Sequence, residues 1–92
     1  MKYYKALDVW CRKNEKTIVR YRCFQLLPNG GFSVQSADHY HAPFADSRAE
    51  QLDKQFLELF LAEAPEARSS LFPTLDEAVR AFAQEFADRD PA

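Results

Sequence analysis

Glycine is scarce in this 92-residue chain: Gly30 and Gly31 are the only two, and they are adjacent. Between two strand-like runs they mark a hairpin turn, and none remains for a loop that cradles phosphate ahead of a helix. Apolar runs are short as well. No stretch approaches the roughly 18 residues of a membrane-spanning helix. The N-terminus, MKYYKALDVWCRKNEK, has Tyr-Tyr-Lys where a secretory signal carries an apolar run. The expected location is therefore cytoplasmic, with no membrane partner. Cysteine is limited to Cys11 and Cys23, which in that compartment read as reduced thiols. A paired-Cys redox motif, a nucleophile elbow and a His-Glu-x-x-His helix are all missing. The chain reads as non-enzymatic, with no cofactor.

Aromatic residues make up 14% of the chain and hydrophobic residues 47%, enough for one small folded domain with a single core. Its expected extent is 1–89, with 90–92 as a frayed tail. Charge is divided unevenly. Residues 1–36 carry Lys2, Lys5, Arg12, Lys13, Lys16, Arg20 and Arg22 against Asp8 and Glu15, a balance of +5, whereas 37–92 carry a balance of −7; together they make the net −2. With so little net charge, electrostatic binding has to come from a local surface.

The basic region reads as strands over 3–12, 17–27 and 32–37, separated by Lys13–Lys16 and by Pro28-Asn29-Gly30-Gly31. Asn-Gly suits the positive φ angles of a type I′ turn. Short connections make the sheet antiparallel. The acidic region reads as a loop over 38–44 and a helix over 48–63, followed by a linker over 65–73 and a last helix from Leu75 to about residue 88. Ser47 with Glu50, and Thr74 with Glu77, have the spacing of capping boxes, with Asp46 as a rival cap. The fold class is α+β: a three-stranded antiparallel sheet followed by two helices on one face, in the order β-β-β-α-α.

Pairing Cys11 with Val19 gathers Leu7, Val9, Cys11, Val19, Tyr21, Cys23 and Leu27 on one face, where the helices are expected. Both cysteines then point into the core, about 13 Å apart at strand rise, too far for a disulfide. The Asn29-Gly30 turn is expected to pair Leu27 with Phe32 and Gln25 with Val34. In the first hairpin any left-handed position falls to Asn14.

The opposite face collects Tyr4, Trp10, Arg12, Arg20, Arg22 and Phe24, with Trp10 beside Arg20 and Asp8 beside Arg22. These six residues are the candidate binding site. Trp, Tyr and Arg are the usual anchors of protein interfaces, so the expected partner is a protein or a second copy of the chain. The alternative is weak nucleic-acid binding, with aromatics stacking on bases and arginines neutralising phosphates. A third reading covers Trp10 and Phe24 with the 38–47 loop or the C-terminal tail. His39 and His41 share a face if extended and invite a metal, with Asp38 as third ligand. No distant ligand completes that set, so none is assigned. Leu57 and Leu61 widen the apolar stripe of the first helix and are expected to meet the last helix.

Overall fold

The computed structural model describes residues 1–86; the predicted frayed tail, 90–92, and the last residues of the predicted final helix lie outside that range. Three strands, β1 (Tyr4–Arg12), β2 (Thr17–Leu26) and β3 (Phe32–His41), precede three helices, α1 (Asp46–Ala62), α2 (Pro65–Arg68) and α3 (Leu75–Glu85). The sheet is antiparallel in the order β1-β2-β3. The expected α+β architecture, a three-stranded sheet followed by helices, is present.

The first hairpin takes the expected register, with Cys11 opposite Val19, Trp10 opposite Arg20 and Asp8 opposite Arg22. Alternation on both strands selects it, because a slip of one residue would exchange the faces. Asn14 contributes differently from expectation. No described residue has positive φ; instead the Asn14 side-chain oxygen accepts from the Lys16 backbone N–H at 2.9 Å and closes the turn from within.

The second hairpin corrects the expected turn. Gln25 lies opposite Phe32 and Cys23 opposite Val34, two residues from the predicted pairing. A shift of two leaves Phe32 and Val34 on the predicted face. Gly30 is used for close approach, not for left-handed φ: its N–H donates to the Leu26 carbonyl at 2.7 Å, and a Cβ there would lie 2.5 Å from that same oxygen.

The third strand is also longer than predicted. A register shift between Arg22 and Cys23 leaves Gln35 without a partner on β2, and pairing resumes from Ser36 to His41. This bulge inverts the alternation of β3. Asp38 and Tyr40 thereby join the face of Arg20 and Arg22, and Ala37 and His39 join that of Val19 and Tyr21. A constant period of two ends the strand at 37, so 38–41 read as loop.

The largest correction concerns the helices, which take opposite faces of the sheet. Cys23, Val34 and Ala78 form a buried cluster with Leu7, Val9, Tyr21, Phe32, Phe72, Leu75, Val79 and Phe82 packed around it; this is the α3 side. α1 covers the other side, stacking Phe56 and Phe60 on Phe24. Strands lie about 4.8 Å apart and a helix with side chains is about 10 Å wide, so a three-stranded sheet has room for about one helix per face. The chain crosses between faces at the edge of β3, where Phe32 and Phe72 exchange two backbone hydrogen bonds of 2.8 Å. Thr74 then caps α3 as predicted, accepting from the Glu77 N–H at 3.1 Å. Neither Ser47 nor Asp46 caps α1, which begins two residues earlier than expected, with Ala45 at the cap and Asp46 as its first residue.

Candidate interaction surface

Alternation places Tyr4, Trp10, Arg12, Arg20, Arg22 and Phe24 on the α1 side of the sheet, and α1 divides them. Phe24 is 3% exposed. Its ring centroid lies 4.7 Å from Phe60 and 5.5 Å from Phe56, both nearly parallel to it, and 6.0 Å from Tyr4 edge-on. Burying one such ring contributes about 1.5–3 kcal/mol. Arg22 is 4% exposed. Its Nε donates to Asp38 at 2.5 Å, a second nitrogen donates to Asp53 of α1 at 2.6 Å, and the guanidinium lies 4.8 Å from the Phe56 ring centroid. Burial opposes the charge of Arg22, but the hydrogen bonds to Asp53 and Asp38 outweigh it, and the pKa is raised. The hydrogen bond from Arg22 holds the Asp53 carboxyl below its usual range. Asp8 pairs with Arg20, at 2.9 Å, and not with Arg22; Arg20 also reaches Asp53, at 3.7 Å, but Arg22 lies under the helix and donates to both Asp38 and Asp53.

Tyr4 is half-buried and also committed. Its hydroxyl donates to Glu66 at 2.6 Å, and Lys2 donates to the other oxygen of the same carboxylate at 2.9 Å. Those two bonds, Tyr4 first, pull the Glu66 carboxyl down to about 2. This three-residue latch ties the chain start to the turn after α1.

The other end of the face is open. Trp10 is 54% exposed. Arg20 sits against it, 5.3 Å from the ring centroid, and Tyr40 lies 6.0 Å away. Trp10, Ile18, Tyr40, His41, Phe44 and Arg48 line a largely apolar cleft of about 220 Å³. All three strands, the loop before α1 and the first turn of α1 therefore contribute. Arg12, Lys5 and Arg48 are exposed and form no ion pair among the described residues. Tyr40 and Phe44 lie outside the predicted site: Tyr40 belongs to the part of β3 beyond the expected end at 37, and Phe44 to the loop between β3 and α1. Resumed alternation after Gln35 was the available signal.

His39 and His41 share the α3-side face, and His41 Nδ1 lies 2.9 Å from the Thr17 hydroxyl. Asp38 faces the other way toward Arg22, so the imagined ligand set is split. Among the described residues no group of three or more His, Cys, Asp or Glu could hold a metal ion. Both cysteines are free; Cys23 is buried but Cys11 is exposed, correcting its expected place in the core. Burial, then the nearby Asp8 charge, pushes the Cys23 thiol up to about 12, which keeps it protonated and unreactive. Leu57 and Leu61 do not meet α3, since that helix lies across the sheet, and both remain exposed. No described helix is long and apolar enough to cross a membrane. No protein-family model, no curated protein and no solved structure matches this chain.

Proposed function

We propose that this protein is a small interaction module, which engages a protein partner or a second copy of itself through the Trp10–Tyr40–Phe44 end of the α1-side face. One observation carries the reading: a large indole is more than half exposed at the mouth of an apolar cleft, with a guanidinium held against it. Trp and Tyr concentrate interface energy because they bury much area with little loss of conformational freedom, and Arg because its planar guanidinium makes several directed hydrogen bonds. Arg48 at the cleft and the exposed Arg12, opposite Ile18, add positive charge against the single carboxylate of Asp46 in the lining. Nucleic-acid binding by the same face is the weaker reading, since Phe24 and Arg22 are buried under α1 and cannot stack on a base or meet a phosphate.

The test is a selection of random twelve-residue displayed peptides against the full chain, followed by affinity measurement from Trp10 fluorescence. Trp10→Ala and Phe44→Ala are each expected to weaken the selected peptides by about tenfold or more with the melting temperature nearly unchanged, as for interface anchors. Leu61→Ala is expected to have no effect. Binding that responds to Leu61→Ala and ignores both aromatic substitutions would overturn the assignment. So would binding of random single-stranded oligonucleotides that falls log-linearly with salt, which is the signature of counterion release.

A further inference from the structure

The open cleft adjoins an open strand edge. Among the described residues β1 is at the margin of the sheet and pairs with β2 alone. The Leu27 N–H donates to the Tyr3 carbonyl at one end of this hairpin, and the Lys13 N–H donates to the Thr17 carbonyl at the other. Hydrogen-bonded pairs alternate along an antiparallel ladder, so the odd residues of β1 direct their backbone groups toward β2. Tyr4, Ala6, Asp8, Trp10 and Arg12 direct theirs outward. From Ala6 to Arg12 each of these even residues is exposed. Trp10 joins the two features, with its side chain lining the cleft and its N–H and C=O on the free edge.

Charge indicates the kind of strand that fits. Lys5 and Arg12, toward the two ends of this edge, and Arg48 at the cleft have no carboxylate partner among the described residues; Asp8 is occupied by Arg20, and Asp46, which also lines the cleft, leaves one carboxylate against these three cations. A second copy of β1 would bring the same cations against them, the device by which edge strands resist pairing with themselves. We infer that β1 receives an extended acidic segment of another protein as a fourth strand, with an aromatic or aliphatic side chain of that segment entering the Trp10–Tyr40–Phe44 cleft. Backbone pairing supplies affinity and the cleft supplies selectivity, as in other cases of strand addition. This inference rests on the cleft reading above and adds the backbone edge and the sign of the partner's charge.

The probe is a ten-residue peptide that alternates glutamate with valine and carries one phenylalanine. Its counterparts replace glutamate by lysine or carry N-methyl groups on alternate residues. The glutamate peptide is expected to slow amide exchange at Ala6, Asp8 and Trp10, and to lose affinity as salt rises. Both counterparts are expected to bind at least about tenfold more weakly, the loss associated with one or two hydrogen bonds or a reversed charge. Ala6→Pro removes an outward N–H that the β1–β2 ladder does not use. It is expected to weaken the glutamate peptide by a similar factor while the Trp10–Arg20 pairing, seen in the chemical shifts, persists. The N-methyl peptide makes the same test with the protein unaltered. Peptide that shifts Trp10, Tyr40 and Phe44 but leaves the three amides exchanging freely would overturn strand addition and leave the cleft reading standing. Peptide that perturbs neither set would overturn both. Protection of those amides by dimerisation in the absence of peptide would overturn the acidic partner in favour of a second copy.

Discussion

The two ends of the face beneath α1 are built from similar residues, an aromatic beside an arginine, and end in opposite states. At one end Phe24 and Arg22 are buried, stacked and ion-paired. At the other end Trp10 is exposed, Arg20 is half-buried, and an apolar cleft lies beside them. The difference lies in what the helix supplies. α1 opens with Asp46-Ser47-Arg48-Ala49-Glu50-Gln51, and its first large apolar residue is Leu52. Phe56 and Phe60, one and two turns further on, lie over Phe24. The first turn crosses the Trp10 end with no large apolar residue to cover it. Exposure here follows from the residues on the opposing element and is not a property of the aromatic itself.

Removing the covered aromatic is the harshest test of this contrast. Phe24→Ala is expected to destabilise the fold by about 3–5 kcal/mol in denaturant unfolding, as for other buried rings. An effect below 1 kcal/mol would mean that the α1 side is not a true core. Asp38→Ala leaves Arg22 buried with Asp53 as its remaining partner, and a loss of about 2–3 kcal/mol is expected for a charged hydrogen bond broken out of water. The contrast can also be abolished from the helix: Ala49 lines the cleft, so Ala49→Phe should cover the open end. It is expected to shift Trp10 fluorescence to the blue, to raise stability by about 1 kcal/mol through added apolar burial and to prevent peptide binding. Trp10→Ala, by comparison, is expected to cost less than about 1 kcal/mol, since the indole is already half in water.

The smallest expected effect is electrostatic. The Glu66 carboxyl titrates from an ordinary 4.5 down to about 2 because Tyr4 and Lys2 donate to it. A carboxyl with a depressed pKa stabilises the fold above its unfolded value and ceases to do so once protonated. The contribution of the latch is therefore complete above about pH 4.5, declines as pH falls and is gone below about 2. The stabilities of the parent and of Glu66→Gln are expected to differ at neutral pH and to converge over that window.

Much of the sheet was legible because its first two strands are patterned on both faces. One-residue slips are penalised at Val9, Cys11, Val19 and Tyr21 together, and the register followed. The second hairpin was two residues out yet kept Phe32 and Val34 on the right face, since a period of two is blind to even shifts. Gln35 was the obstacle to reading further: a single unpaired residue reversed the alternation and hid Asp38, Tyr40 and the rest of the strand. Thr74 capped its helix and Ser47 did not, although both have the same motif. Local spacing offers a cap, but where the helix starts is decided by how the preceding loop meets the sheet.

The α+β class, the first hairpin register, the α3 stripe and the gathering of basic and aromatic side chains on one side of the sheet are all written in the residue pattern. These depend on periods of 2 and 3.6, which belong to the backbone. Packing in three dimensions puts the helices on opposite faces, makes Arg22 and Phe24 interior, and leaves the Trp10–Tyr40–Phe44 cleft open beside the β1 edge. Those outcomes depend on the width of a three-stranded sheet and on the size of the residues that α1 brings to each end of it. Neither is recorded in the pattern of any single segment.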